Sequence, residues 1–140
     1  MQSKEILPDI RKTIVLDAPI ETVWKAVATS EGLAGWWMPN TFEPVVGQSF
    51  ILRAGGFGDS PCVVKEIVPL QRIAFDWAKD WHLTFELQED ATGKTEFSLI
   101  HSGWDANKVT EFGQPHTQIR EHMAGGWEKI IHQSLPAYLK

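Results

Sequence analysis

Apolar residues recur with strand period through the middle of the chain and with helix period near its end. Between His116 and Leu139, the residues Ile119, Met123, Trp127, Ile130, Ile131, Ser134, Leu135 and Tyr138 fall at helical intervals, the stripe of one amphipathic helix. Gln118, Arg120, Glu121, Glu128, Lys129, His132 and Gln133 share the opposite face and belong in water. Upstream, Trp81, Leu83, Phe85 and Leu87 alternate with His82, Thr84, Glu86 and Gln88, which predicts a strand with one face inward. The simplest arrangement lays the long helix across an antiparallel sheet. The helical segment also holds Gly125-Gly126, each about 1 kcal/mol less favourable than Ala in a helix interior. Read as a gap in the stripe, the pair is expected to open a cavity against the sheet.

The rest of the chain fills in that plan. Ile10 to Leu16 alternates Ile10, Ile14 and Leu16 against Arg11, Thr13 and Val15, a first strand. Asp17-Ala-Pro19 then starts a helix, proline being suited to the first helical position, and Ile20, Val23, Trp24 and Val27 form its buried face. Ser30 is read as the cap of a shorter helix closed by Trp36-Trp37. Strands follow at Thr41 to Glu43, Gln48 to Ala54, Pro61 to Val68, Arg72 to Trp77, Trp81 to Glu89 and Lys94 to Ser102. Turns are read at Pro44–Gly47, Gly55–Asp59, Pro69–Gln71 and Asp90–Gly93. Phe50 and Leu52 share one face, as do Ile73, Phe75 and Trp77, and likewise Phe97, Leu99 and His101. Gly103 to Pro115 reads as a polar loop, and Pro136, lacking a backbone donor, is expected to kink or end the last helix early. No repeat, linker or low-complexity segment breaks residues 1–140, which are expected to form a single α+β domain.

Composition narrows the function. A net charge of −5 without any Lys/Arg cluster argues against nucleic acid as a partner. One cysteine, Cys62, precludes an internal disulfide and is expected to be half-buried. Neither a leader nor an anchor is visible at the N-terminus, and no segment has the length of a membrane span, so a cytoplasmic protein is expected. Seven tryptophans and seven phenylalanines stand beside one tyrosine. Such a surplus of flat rings fits either a bulky core or a wide aromatic cleft.

Reactive motifs are scarce. His82, His101, His116, His122 and His132 have no metal-ligand spacing, so no metal and no cofactor are expected. Gly55-Gly-Phe-Gly58 lacks the Lys-Ser/Thr of a phosphate loop, and no G-x-S-x-G is present. Glu86, Glu89 and Asp90 read as solvated, while Arg53 fits a cavity mouth or the surface equally well. His101 follows Phe97 and Leu99 on an inward face, so it is either a core histidine bonded to backbone or a polar tether for a ligand. Trp127, beside Gly126, is either a core ring or a pocket wall.

Four motifs together resemble a known family. Asp17-Ala-Pro-Ile-Glu-Thr-Val-Trp24 with Trp36-Trp37 is similar to the opening of the Hsp90 ATPase activator homologue family, within the START/Bet v 1-like helix-grip superfamily. Val64 to Trp77 resembles its middle motif, and Leu83 to Leu87 with Thr95 to Gly103 resembles its paired strands. Gly126-Trp127 followed by Leu135 and Tyr138-Leu139 resembles its closing helix. The resemblance implies a helix-grip fold, a curved antiparallel sheet of about six to seven strands around the long helix. It also implies a hydrophobic cavity for lipids, sterols, polyketides or plant-type aromatic hormones. In eukaryotic activators a separate N-terminal domain makes much of the chaperone contact, whereas nine residues precede Ile10 here.

The expected function is therefore binding of a hydrophobic, ring-containing small molecule by a monomer. Trp37, Phe50, Phe75, Trp77, Phe85, Phe97, His101, Met123 and Trp127 are the expected ligand-binding residues, and no catalytic residue is assigned. A stress-response or chaperone-interacting module is the alternative, and a cyclase or hydrolase using the same cavity, with His101 or a cavity carboxylate as acid/base, is a second.

Overall fold

The computed structural model describes residues 7–53, 59–78, 81–105 and 115–139. Strand β1 (Ile10–Leu16) is followed by helices α1 (Ile20–Val27) and α2 (Ser30–Trp36). Strands β2 (Ser49–Arg53), β3 (Asp59–Val68), β4 (Arg72–Trp77), β5 (Trp81–Glu89) and β6 (Thr95–Ser102) come next, and helix α3 (His116–Lys129) runs through one π-helical turn (Ile130–Ser134) into α4 (Leu135–Leu139). The six strands form one antiparallel sheet in the order β1-β6-β5-β4-β3-β2. Strands β2 to β6 are therefore a meander, and β1 closes onto β6.

Alternation and register together build the inner face. Trp77 pairs with Trp81, Phe75 with Leu83 and Ile73 with Phe85. Leu83 pairs in turn with His101, Phe85 with Leu99 and Leu87 with Phe97. All of these side chains are buried, because the period of two keeps each paired row on one face. The long helix lies across that face, with Ile119, Trp127, Ile131 and Leu135 buried and Met123 half-buried. Lys12 also lies on the inner face, opposite Leu99, and its Nζ meets Glu128 of α3 at 2.7 Å. Glu128 thus ties the helix to β1 as well as facing water.

Several sequence expectations shift. Thr29, not Ser30, caps α2: its Oγ1 accepts from the Gly32 N–H at 2.9 Å. Ser30 is the first helical residue, and its hydroxyl donates to the Asn40 carbonyl instead. Thr41 to Glu43 is not a strand; Asn40 makes a single bridge to Leu52. Pro136 does not end the helix. The preceding turn widens so that the Leu135 N–H reaches the Ile130 carbonyl, and the helix resumes through Leu139 with the missing donor accommodated. Gly125 and Gly126 are exposed, and a Cβ on either would meet nothing within 4 Å. Successive residues turn 100° around a helix, so glycines between Met123 and Trp127 fall outside the stripe. They open no cavity. The loop read at Gly55–Asp59 lies outside the described residues except for Asp59, as does most of the Gly103–Pro115 loop.

Candidate ligand-binding site

The expected ligand-binding residues do come together, as a network of rings on the inner face. Trp37 is central. Its ring centroid is 5.1 Å from Trp127, 5.4 Å from Trp77, 6.2 Å from Phe85 and 6.3 Å from Phe75. Phe97 joins through Phe85 at 5.6 Å, and Phe50 through Phe75 at 5.1 Å. Met123 packs half-buried against the same cluster. Trp37 differs from the others in its support, since it stands just past the end of α2 and is only half-buried. Its backbone N–H bonds the Leu33 carbonyl at 2.9 Å as the C-cap of α2, and its indole packs among the rings of the sheet and the long helix.

His101 sits at one end of this network inside four indoles. Trp77 stacks on it at 5.1 Å and 25°, Trp81 meets it edge-on at 5.1 Å, and Trp104 lies 4.6 Å away. Trp127 donates its indole N–H to His101 Nδ1 at 3.0 Å. An Nδ1 that accepts is unprotonated, so the neutral ring carries its hydrogen on Nε2. Burial, with lesser repulsion from His116 and Arg120, pushes the imidazole down to about 3, and His101 is neutral at ordinary pH. The backbone-bonded alternative gives way, because the ring's buried partner is a side chain, Trp127.

Sequence reasoning missed part of the cage. Trp104 falls in a segment read as a polar loop yet is fully buried, donating its indole N–H to the His101 carbonyl at 2.9 Å. Its signal was the residue itself, since a tryptophan two places past a strand end seldom stays in water. Trp81 was placed inward but not in the site, and Trp36, bonded to the Ala26 carbonyl at 2.7 Å, fills the space between Phe85 and Phe97. His116 takes the Asp105 N–H on its Nδ1 beside Trp81 and Trp104. Cys62 is fully buried, not half-buried, and burial raises its thiol to about 12, which disfavours the thiolate. Arg53 is on the surface, 3.4 Å from Asp59. Among the described residues no group of three or more His, Cys, Asp or Glu could hold a metal ion.

A depression of about 650 Å³ lies elsewhere, on the outer side of the sheet around Arg11, Arg72, Glu86, Glu96 and Ser98. Of its charges Arg72 is engaged, reaching Glu66 at 3.3 Å and Glu86 at 3.1 Å. The inner rings are buried and apolar, whereas this hollow is lined largely by polar and charged groups.

A curved antiparallel sheet gripping a long C-terminal helix, with an aromatic interior between them, defines a helix-grip α+β domain. The chain belongs to the family described as Activator of Hsp90 ATPase homolog 1-like protein, whose model matches residues 17–140. The solution structure of Bacillus halodurans protein BH1534 is similar over 97% of this chain and 99% of that one, with 37% identity and a TM-score of 0.87. The Aha1 dimer of Colwellia psychrerythraea shares the fold at 22% identity and a TM-score of 0.70, over 89% of this chain and 91% of that one. DynU16, from the dynemicin biosynthetic locus, shares it at 20% identity and a TM-score of 0.75, over 95% of this chain and 47% of that one. No curated protein matches the chain. No described helix is long and apolar enough to cross a membrane.

Proposed function

We propose that this is a cytoplasmic small-molecule binding domain that takes a flat, ring-containing apolar ligand between the sheet and the long helix. The observation that carries the reading is Trp37. Its indole occupies the middle of the inner rings without belonging to a strand or to the long helix. A ring in that position stands where a ligand ring would stand, and it can swing aside without breaking a ladder. Phe75, Phe85, Phe97 and Trp127 then supply flat apolar walls, Phe50 and Met123 the margins, and His101 with Trp77 the polar end. DynU16, a neighbour in fold, comes from a biosynthetic locus for a natural product, which agrees with a ligand of that general kind.

Titration with the environment-sensitive apolar dye Nile red tests this. Trp37→Ala removes the plug and is expected to raise dye affinity at least tenfold while thermal melts still show a folded protein, although less stable by about 3 kcal/mol. A folded Trp37→Ala protein that binds the dye no better than wild type would contradict the reading.

A second reading, a chaperone-interacting module, draws on the family and on Val45, Val46 and Ile51, which are exposed beside the sheet edge. Stimulation of an Hsp90 ATPase by the purified chain, abolished by Val46→Asp, would favour it.

A further inference from the structure

Among the described residues, the buried nitrogens Trp77 Nε1, Trp81 Nε1 and His101 Nε2 on the inner face have no hydrogen-bond partner. The rings that carry them touch one another. Their centroids form a triangle, Trp77 to His101 5.1 Å, Trp81 to His101 5.1 Å and Trp77 to Trp81 5.2 Å. An indole nitrogen can only donate. His101 could in principle present an acceptor instead, but the Trp127 N–H occupies its Nδ1, which fixes the hydrogen on Nε2. All three unpaired groups are therefore donors, and the two other indoles of the cage, Trp104 and Trp127, spend theirs on the His101 carbonyl and Nδ1. Buried polar groups in folded proteins are nearly always paired, and an unpaired cluster calls for an explanation. A core built only for packing would use phenylalanine at such places, as this chain does at Phe75, Phe85 and Phe97.

We infer that Trp77, Trp81 and His101 form a donor-only subsite that recognises an oxygen acceptor bearing no hydrogen, a ketone, carboxylate or phenolate oxygen on the ligand's ring system. This rests on the binding function proposed above and adds the polarity of the ligand to it. The subsite selects by what it lacks. A hydroxyl can accept from these donors, but its own hydrogen finds no acceptor among them, and an ammonium offers them nothing. His101 is uncharged near neutrality, because burial disfavours its imidazolium, so the subsite stays neutral and recognises by hydrogen bonding, with no ion pair to satisfy when the ligand leaves.

Two probes of one shape separate this inference from the binding function beneath it. 9-Fluorenone and fluorene are planar tricycles that differ in a carbonyl oxygen, and 9-fluorenol carries a hydroxyl there. Calorimetric titration of the wild type near pH 7 is expected to show fluorenone binding at least tenfold tighter than fluorene, with fluorenol in between. Trp81→Phe keeps a ring and deletes one donor, and is expected to lower the ratio of fluorenone to fluorene affinity at least threefold. Trp77→Phe serves the same purpose if Trp81→Phe does not fold. In the wild type itself, fluorenone and not fluorene should move the indole N–H resonances of Trp77 and Trp81 downfield. Equal affinities for fluorenone and fluorene would overturn the donor subsite and leave the binding function standing. A carbonyl preference unchanged in the folded Phe variants would place recognition elsewhere and overturn the assignment. Binding of neither probe by folded protein would remove both the subsite and the function it rests on.

Discussion

His101 takes up a proton near 6.5 when exposed and only near about 3 in the fold, because burial disfavours its imidazolium and His116 and Arg120 add repulsion. As pH falls below 6.5 the unfolded chain binds that proton first, so stability declines through the window from about 6.5 down to about 3 and levels off below it. Over the full window the loss is on the order of a few kcal/mol. His101→Phe deletes the titrating group. Urea denaturation at a series of pH values should show this slope in the wild type and a much flatter line between pH 6 and 4 in the variant. The variant should also be weaker at neutral pH by about 1–3 kcal/mol, since the buried Trp127 N–H loses its acceptor. Parallel slopes in the two proteins would mean that His101 is not held neutral. At this scale the sequence revealed that His101 faces inward, because alternation assigns a face. Its partner was not legible: Trp127 lies 26 residues away along the chain, and only the packing of α3 on β6 brings the two together.

Among the elements, two glycine sites respond in opposite ways to the same change. Helices α1 and α2 cross where Gly32 has no side chain, and a Cβ there would stand 2.7 Å from the Ala26 Cα and carbonyl oxygen. Backbone cannot yield as a flexible side chain can, so Gly32→Ala should cost about 2–3 kcal/mol. It should also loosen Trp36, which is bonded to that same Ala26 carbonyl. Gly125 and Gly126 are the converse, with helical backbone and open space where a Cβ would go. Gly126→Ala should raise stability by roughly 1 kcal/mol and leave ligand affinity unchanged. Thermal melts of the two variants check both signs, and a destabilised Gly126→Ala would mean that the helix packs on something at that face. Strand rows, hairpin turns and the helical stripe were readable because each rests on a local period or on turn chemistry. The Asp90 turn is an example, its carboxylate accepting from the Thr92 and Lys94 N–H groups. The exposure of Gly125-Gly126 was open to the same arithmetic, since a stripe through Met123 and Trp127 leaves them on another face. The widened turn before Pro136 was not, because proline states only that a donor is missing and the surrounding packing decides how the helix answers.

For the whole molecule, the family and the helix-grip architecture follow from many weak signals in one order, whereas the interior depends on rings from α2, the sheet and α3 meeting at 5–6 Å. Rows of inward aromatics are visible in a sequence. Whether they close on one another or on a ligand is a matter of volume, which no residue pattern encodes, and for that reason Trp37 could be named as an inward ring but not placed at the centre of the others. The same holds for Trp104 and Trp81, whose place around His101 comes from the end of β6 and the start of β5. Native mass spectrometry of the protein purified from its own host tests the central claim most directly. The expected spectrum contains a population heavier than the bare chain by one small molecule, released on denaturation and identified by its absorbance as aromatic and oxygenated. A folded protein that carries no such mass, both as purified and after incubation with an apolar extract of that host, would contradict it.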